Sequence, residues 1–538
     1  MKPTPAEPRA YRILTHKWYL YLTEFFAGMS VMAAELGASR LLAPYFSSSQ
    51  IVWTIIIGTI MIAMALGNLY GGRSADKHPD PDKLYTRMLI AAVWIAAIPF
   101  LGKLLIILIS GLLVVTVSTG FLIWAAFLSC MAVFVYPLFL LGTVTPSLVK
   151  FAVGSLEDSG STVGRLGAAN TIGSIIGTFV PTFVTIPAVG TAATFVIFSG
   201  ILLLLGIVYF LSEHRGRAKI AVSAVLFAAA SAAAFLLGFA FWDQTLTLED
   251  ESVYNYLQVR EDDRRAVLST NVLFGVQSVY IKDDALTGMY YDYALAAPMM
   301  LGTPHAAHNM LILGMGTGTY ATQCRRYFDS MEMTGVEIDE KITALAHEYF
   351  ALDSSIPVAT YDGRAFLSGT DQKYDIIMVD AYQDITIPFQ MSTQEFFRAV
   401  KSHLTENGVM VVNMNMISQR ENGINVYLQD TIASVFGTVY IADVAKSTNR
   451  ELFASENPEI AQILENNLAA EPDAELAQMM RLVSIQLMPA AAGDRILTDD
   501  KAPVELLGMQ TIDDMIRSEL AYYKKRFLSD GISGIING

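Results

Sequence analysis

Cysteine is nearly missing from this chain: two in 538 residues, Cys130 and Cys324, far apart in sequence. That scarcity excludes a disulfide framework and a cysteine zinc site, calls for no metal, and is compatible with a reducing compartment. Charge is thin as well, at 16% of residues, below the roughly 25% of an ordinary soluble domain. There is no basic excess. The net charge is −15, which argues against a nucleic-acid partner. No cleavable signal pattern opens the chain, because the first hydrophobic stretch is too long and others follow it. Internal repeats and low-complexity tracts are absent too, apart from the alanine-rich 221–240.

What is present divides sharply. The length exceeds what one core usually holds, so at least two domains are expected. Residues 1–243 carry 15 Lys+Arg and 10 Asp+Glu, whereas 244–538 carry 21 and 41. The acidity belongs to the second part, and fits a cationic substrate or simply an acidic soluble surface. The first part holds hydrophobic stretches at about 18–44, 51–71, 86–102, 104–118, 121–149, 166–188, 191–211 and 219–241. A span needs roughly 20 apolar residues, so seven or eight transmembrane helices are expected over 1–243, a multi-pass membrane domain.

Lys2, Arg9, Arg12 and Lys17 precede the first helix, and Arg73, Lys77, Lys83 and Arg87 lie between the second and third. Both groups suggest a cytoplasmic N-terminus. Eight crossings would then place the second domain in the cytoplasm, where adenosine cofactors are. That count leaves the basic loop Arg215, Arg217, Lys219 outside, against the rule. Glu24, Glu35 and Arg40 in the first helix read either as a polar conduit or as a structural ion pair. Gly58, Gly67, Gly71, Gly72 and Gly164, Gly167, Gly173, Gly177 suggest close helix packing.

After Trp242 the pattern changes. ESVYNYLQVRED, RAVLSTN and QSVYIKD alternate apolar and polar residues, a β-meander over 244–290. A helix, TGMYYDYALAAPMML, comes next. Strands and helices then alternate to about 440, the signature of a parallel sheet with helices on both faces. Within this run lie LILGMGTGTY, TGVEID, VATYDGRAF and YDIIMVDAY. A strand runs into Gly314, Gly316 and Gly318; a second ends at Glu337, 23 residues after the first glycine; others end at Asp362-Gly363 and Asp380. Glycines admit backbone N–H groups close to a ligand, and a strand-end carboxylate suits paired ribose hydroxyls. An adenosine-containing ligand is the reading. The third glycine of a dinucleotide fingerprint is Thr319 here, which counts against NAD or FAD.

Together with ESVYNYLQV, QS at 277–278, YDY at 291–293 and LTDDKAPVE, these motifs resemble the spermidine synthase family of aminopropyltransferases, and its polytopic-membrane-fused branch in particular. The resemblance covers about 250–510. It implies an α-helical polytopic membrane domain followed by an α/β S-adenosylmethionine-binding Rossmann-like domain (291–538) with an N-terminal β-meander. By the same resemblance Glu337 holds the ribose, Asp362 with Gly363 meets the adenine, and Asn255 and Gln277 stand near the donor. Tyr291 faces the acceptor amine, and Asp380 is the acid that takes its proton. The substrates implied are S-adenosylmethionine or its decarboxylated form and a polyamine, and pairing into homodimers is common in the family.

Three positions depart from the family pattern. Thr317 stands where an aspartate grips the donor's amine, Asp384 is displaced from the second acid, and Asp292 follows the tyrosine. An aspartate at 317 would repel the carboxylate of intact S-adenosylmethionine by about 4 kcal/mol at an effective dielectric near 20, so Thr317 leans toward the intact donor, with Asp292 as an alternative grip on the amine. Aminopropyl transfer, with Asp384 or Asp292 holding the distal ammonium, therefore stands beside a lyase reaction giving homoserine lactone and methylthioadenosine. An amine methyltransferase and a non-catalytic transporter or sensor gated by an adenosine ligand are the other readings.

Overall fold

Apolar runs too long for a water-soluble core become long helices. The computed structural model describes residues 12–117, 120–153, 159–272, 276–283, 286–381, 387–415 and 422–530. The chain divides into two units, Met1–Trp242 and Asp243–Gly538. The first contains α1 (Lys17–Phe46), α2 (Gln50–Lys77), α3 (Pro81–Thr116), α4 (Phe121–Gly142), α5 (Val144–Ala152), α6 (Ser159–Val180), α7 (Ile186–Ser212) and α8 (Arg217–Ala234). Among the described residues, six helices are long and apolar enough to cross a membrane.

One of the six, Ser159–Ser212, spans 54 residues, which as one straight helix would be about 80 Å at 1.5 Å per residue, more than twice a bilayer's hydrocarbon core. It contains two passes. Gly173 and Gly177 of α6 meet Phe25 and Met29 of α1 in the same order, so those helices run parallel. In α7 the order is reversed: Tyr19 donates to the Leu205 carbonyl and Ser30 to that of Phe198. Between them Gly190 leaves helical geometry, at φ 80° and ψ 173°.

The stretch 86–102 and residues 104–116 of the next, read above as separate, belong to one helix, α3. Lys103 broke the hydropathic run in sequence. In the fold its ammonium donates to the Leu237 carbonyl at 2.6 Å and lies 4.2 Å from the Phe239 ring centre, so the charge is accommodated without ending the helix. Close packing holds at Gly67, Gly71, Gly173 and Gly177, where an added Cβ would collide with the facing helix. Gly58, Gly164 and Gly167 face open space instead. Glu24 is fully buried and accepts from Thr145 (2.5 Å) and Asn170 (2.9 Å).

The second unit opens with a four-stranded antiparallel meander: β1 (Leu248–Glu251), β2 (Tyr256–Glu261), β3 (Arg265–Ser269) and β4 (Ser278–Ile281). Two short helices follow, α9 (Tyr290–Ala294) and α10 (Ala296–Met299). The alternating part runs β5 (Asn309–Leu313), α11 (Thr319–Tyr327), β6 (Glu332–Glu337), α12 (Glu340–Tyr349), β7 (Val358–Thr360), α13 (Gly363–Ser368), β8 (Tyr374–Val379), α14 (Gln394–His403) and β9 (Leu404–Met414). After it come α15 (Ile424–Ala433), β10 (Thr438–Asp443), β11 (Arg450–Ser455), α16 (Ile460–Ala470), α17 (Ala474–Gln486), β12 (Met488–Pro489) and α18 (Val504–Asp530).

Eight strands form one sheet in the order β12-β10-β11-β9-β8-β5-β6-β7. Both faces are covered. Leu311, Leu313, Ile377 and Val379 enter one apolar core, while Met310, Ile312, Ile376 and Met378 enter the other. That is why these strands read as unbroken apolar runs. Strands β7, β6, β5, β8 and β9 are parallel, but β9–β11, β11–β10 and β10–β12 are antiparallel. The parallel arrangement expected over the alternating run therefore extends to β9 and ends there. Only residues 444–449 join β10 to β11, too few for a crossover of a dozen or more residues.

Candidate active site

Strand order reverses between β5 and β8, and this is where a doubly wound sheet opens a crevice at its carboxyl edge. A cavity of about 270 Å³ lies there. Gly314 shows why the loop after β5 is glycine-rich. Its φ is +85°, and an added Cβ would run into the Asp380 carbonyl and stand 2.7 Å from the Ala381 nitrogen. Only glycine lets the two strand ends approach this closely.

The cavity is lined by Asn255, Gln277, Gly314, Gly316, Glu337, Asp362, Gly363 and Asp380, all named from sequence. Glu337 ends β6 almost buried, and accepts from the Gly316 N–H at 2.9 Å and the Asp339 N–H at 3.0 Å. Burial raises its pKa, against the pull of those two donors. A carboxylate has about four acceptor sites, so capacity for a ligand hydroxyl remains. Asn255 donates to Asp339 at 2.9 Å, which ties the meander to the start of α12. Asp362 caps α13 by accepting from the Ala365 N–H at 2.8 Å. Beside it Arg364 grips Asp499 of the LTDD motif through two hydrogen bonds, of 2.7 and 2.6 Å.

Asp380 follows the end of β8, and its carboxylate is oriented from two sides. Tyr290 Oη donates to one oxygen at 2.6 Å and Asn413 Nδ2 to the other at 2.9 Å. Asn413 in turn accepts from Asn449 at 2.9 Å, which fixes its amide. Burial lifts the Asp380 pKa to about 7; the two hydrogen bonds oppose that rise and nearby Glu337 adds to it. A small adjoining recess, sharing Gln277, Gly314, Gly316 and Asp380, is walled by Tyr291, Thr319 and Tyr320. Tyr291 donates to the Gln277 carbonyl at 3.2 Å, and burial raises its pKa.

Three residues named from sequence, Asp292, Thr317 and Gly318, are not among those lining the cavity or its recess. Asp292 is buried in a turn of its own, accepting from the Thr287 N–H and hydroxyl and from the Gly288 N–H. Those bonds hold its carboxylate within that turn, away from the lining of the cavity. The Thr317 side chain is 1% exposed and its hydroxyl lies 3.3 Å from that of Thr319; it offers no hydroxyl to the cavity. Gly318 sits behind the loop as the N-cap of α11. Asp384 lies outside the described residues.

Sequence reading missed Tyr290 and Asn413, which hold the central carboxylate, and Tyr361, Gln390 and Met391, which line the cavity. It also missed Glu451, fully buried and paired across the sheet with Asn413. Burial drives the Glu451 pKa well above the usual carboxylate range, and the charge of Asp380 adds to the rise. The adjacent tyrosines of GMYYDY were the available signal for Tyr290.

The profile of the spermine/spermidine synthase domain matches residues 291–445. A probable polyamine aminopropyl transferase of Bifidobacterium longum is 51% identical over 347 residues, covering 61% of this chain and 77% of that protein. The polyamine aminopropyltransferase of Vibrio vulnificus is 27% identical over 287 residues, covering 50% and 93%. Among solved structures, a probable spermidine synthase from Corynebacterium glutamicum covers 46% of this chain and 96% of its own, at 18% identity and a TM-score of 0.36. Because the 347 aligned residues are 51% identical to a relative of which more than three quarters is matched, the chain belongs to the spermidine synthase family of polyamine aminopropyltransferases.

Proposed function

We propose that the cavity binds decarboxylated S-adenosylmethionine and that Asp380 activates the amine of a polyamine such as putrescine. The ammonium gives a proton to the Asp380 carboxylate. The freed lone pair forms a bond to the aminopropyl carbon attached to sulfur, and the carbon–sulfur pair returns to sulfur. Methylthioadenosine leaves as a neutral thioether. In this reading Glu337 holds the ribose, Asp362 and Gly363 border the adenine, and Tyr291 borders the acceptor.

The observation that carries the reading is the fixed Asp380 carboxylate, held by Tyr290 and Asn413, facing the same cavity as Glu337 and Gly316. Its pKa of about 7 suits a base working near neutrality. An ordinary primary amine, with a pKa near 10.4, would transfer its proton to such a group at a cost of about 5 kcal/mol. Desolvation and the adjacent sulfonium cation both favour the neutral amine and reduce that cost.

The charge of the walls supports the decarboxylated donor. Glu337, Asp362 and Asp380 line the cavity, with no lysine or arginine among its described lining residues. An intact donor would bring a carboxylate into this acidic site with no cation to meet it. The lean toward the intact donor rested on Thr317, whose hydroxyl lies 3.3 Å from that of Thr319; the missing acid removes a repulsion there without the hydroxyl meeting a donor carboxylate. The test is the initial rate of methylthioadenosine release by the purified full chain from each donor, with and without putrescine. Release from the decarboxylated donor only when amine is present supports transfer. Release from the intact donor without amine refutes it.

A further inference from the structure

The direction of each helix in the first unit is fixed by its contacts. α1, α3, α6 and α8 run one way; α2, α4 and α7 run the other. For α8 the register is explicit: Lys219 meets Thr86, and Leu237 beyond the helix end meets Lys103, so α8 tracks α3 from one end of the bundle to the other. At the end where α1 begins, the Ile13 N–H donates to Glu213, Arg215 pairs with Asp82 at 3.5 Å, and Lys150 pairs with Asp76 at 3.0 Å. At the far end the Tyr45 hydroxyl donates to the Phe239 carbonyl at 2.7 Å.

The cations are segregated between these ends. Of the 13 lysines and arginines from residue 12 to 242, 11 lie at or near the end where α1 begins, leaving only Arg40 and Lys103 elsewhere. Lysine and arginine in short loops and near helix ends mark the cytoplasmic face. We infer that this end is cytoplasmic and that the chain leaves the helical unit, at Trp242, on the opposite face, so the carboxylate-lined cavity works outside the cytoplasm.

Seven passes also remove the conflict left by eight. The loop with Arg215, Arg217 and Lys219 now shares the face of the other basic segments. The cytoplasmic placement expected from sequence joined the habitat of adenosine cofactors to a count of eight crossings, and that count took α3 twice. This sidedness rests on the helices alone and stands whatever the cavity does. Joined to the reading of aminopropyl transfer, it means that the acceptor amine is met outside. The donor, a fixed sulfonium cation that hydrocarbon excludes, then has to be supplied by a transport step.

The two native cysteines are buried, so single introduced thiols report position. His78 is exposed between α2 and α3, and Glu406 is exposed in the second unit. Full-length H78C and E406C proteins are treated, in cells with the plasma membrane intact, with a membrane-impermeant maleimide, and again after permeabilisation. The expected result is labelling of Cys at 406 from outside and of Cys at 78 only after permeabilisation. The reverse pattern overturns the inference. A fluorescent protein that matures only in the cytoplasm, fused after Gly538, should stay dark; a bright fusion overturns the inference as well. Loss of methylthioadenosine release with unchanged labelling would count against the catalytic reading and leave the sidedness standing.

Discussion

Tyr290 and Asp380, 90 residues apart, meet through a hydrogen bond of 2.6 Å in which the phenol donates to the carboxylate. The bond favours the charged form of Asp380 while burial favours the neutral one, and the balance sits at about 7. The tyrosine therefore both aims the base and sets the pH at which it works.

Replacing Asp380 with Asn keeps the shape and removes the base. Turnover should fall by about 10²- to 10⁴-fold, the usual worth of a positioned general base, while the donor binds with little change. Rapid-quench rates together with equilibrium binding would check this, and unchanged turnover would refute the assigned role.

The pH dependence follows from the sign of the shift. The base is active when ionised, and its pKa is raised to about 7. Hence kcat/KM should fall as pH drops through about 7. Tyr290→Phe removes a donor to the charged form, so the acidic limb should move upward by about one unit, the equivalent of a modest charge-assisted hydrogen bond. A limb near the ordinary aspartate value, or one that Tyr290→Phe leaves in place, would contradict the arrangement.

Glu337→Ala removes the carboxylate expected to hold the ribose. Donor affinity should weaken by about 10- to 100-fold, as for loss of hydrogen bonds to a charged group at roughly 1.5–3 kcal/mol. Titration calorimetry with the decarboxylated donor reads this directly; unaltered affinity would remove Glu337 from the site.

Asp499→Ala releases Arg364 beside Gly363 without touching the cavity. Because the pair is partly exposed, with side chains 27% and 41% accessible, the expected effect is small. A loss of donor affinity of about fivefold corresponds to roughly 1 kcal/mol for such a pair. A much larger loss would mean that the LTDD segment itself touches the ligand.

The glycine loop and the strand-end acids were legible because their chemistry is local. Leu311 to Leu313 are apolar on both faces, and Gly314, Glu337, Asp362 and Asp380 each terminate a strand or open a helix within their own short motif. The support of Asp380 was not legible. Asn413 reaches it from β9, and Asn449, which fixes the Asn413 amide, comes from the turn before β11, an antiparallel return with no mark near Asp380 itself. Asp292 misled for the opposite reason: it neighbours Tyr291 in sequence, yet the backbone at Thr287 and Gly288 claims its oxygens. In the helical unit hydropathy located the apolar runs but divided α3 at Lys103, whose partners Leu237 and Phe239 lie just beyond the end of α8, at least 134 residues later in the chain.

Mass spectrometry of the products formed by the purified full-length chain from decarboxylated S-adenosylmethionine and putrescine tests the central claim most directly. One aminopropylated amine for each methylthioadenosine is the expected result, with neither product formed when the amine is omitted. Methylthioadenosine without an aminopropylated partner, or homoserine lactone from the intact donor, would contradict it.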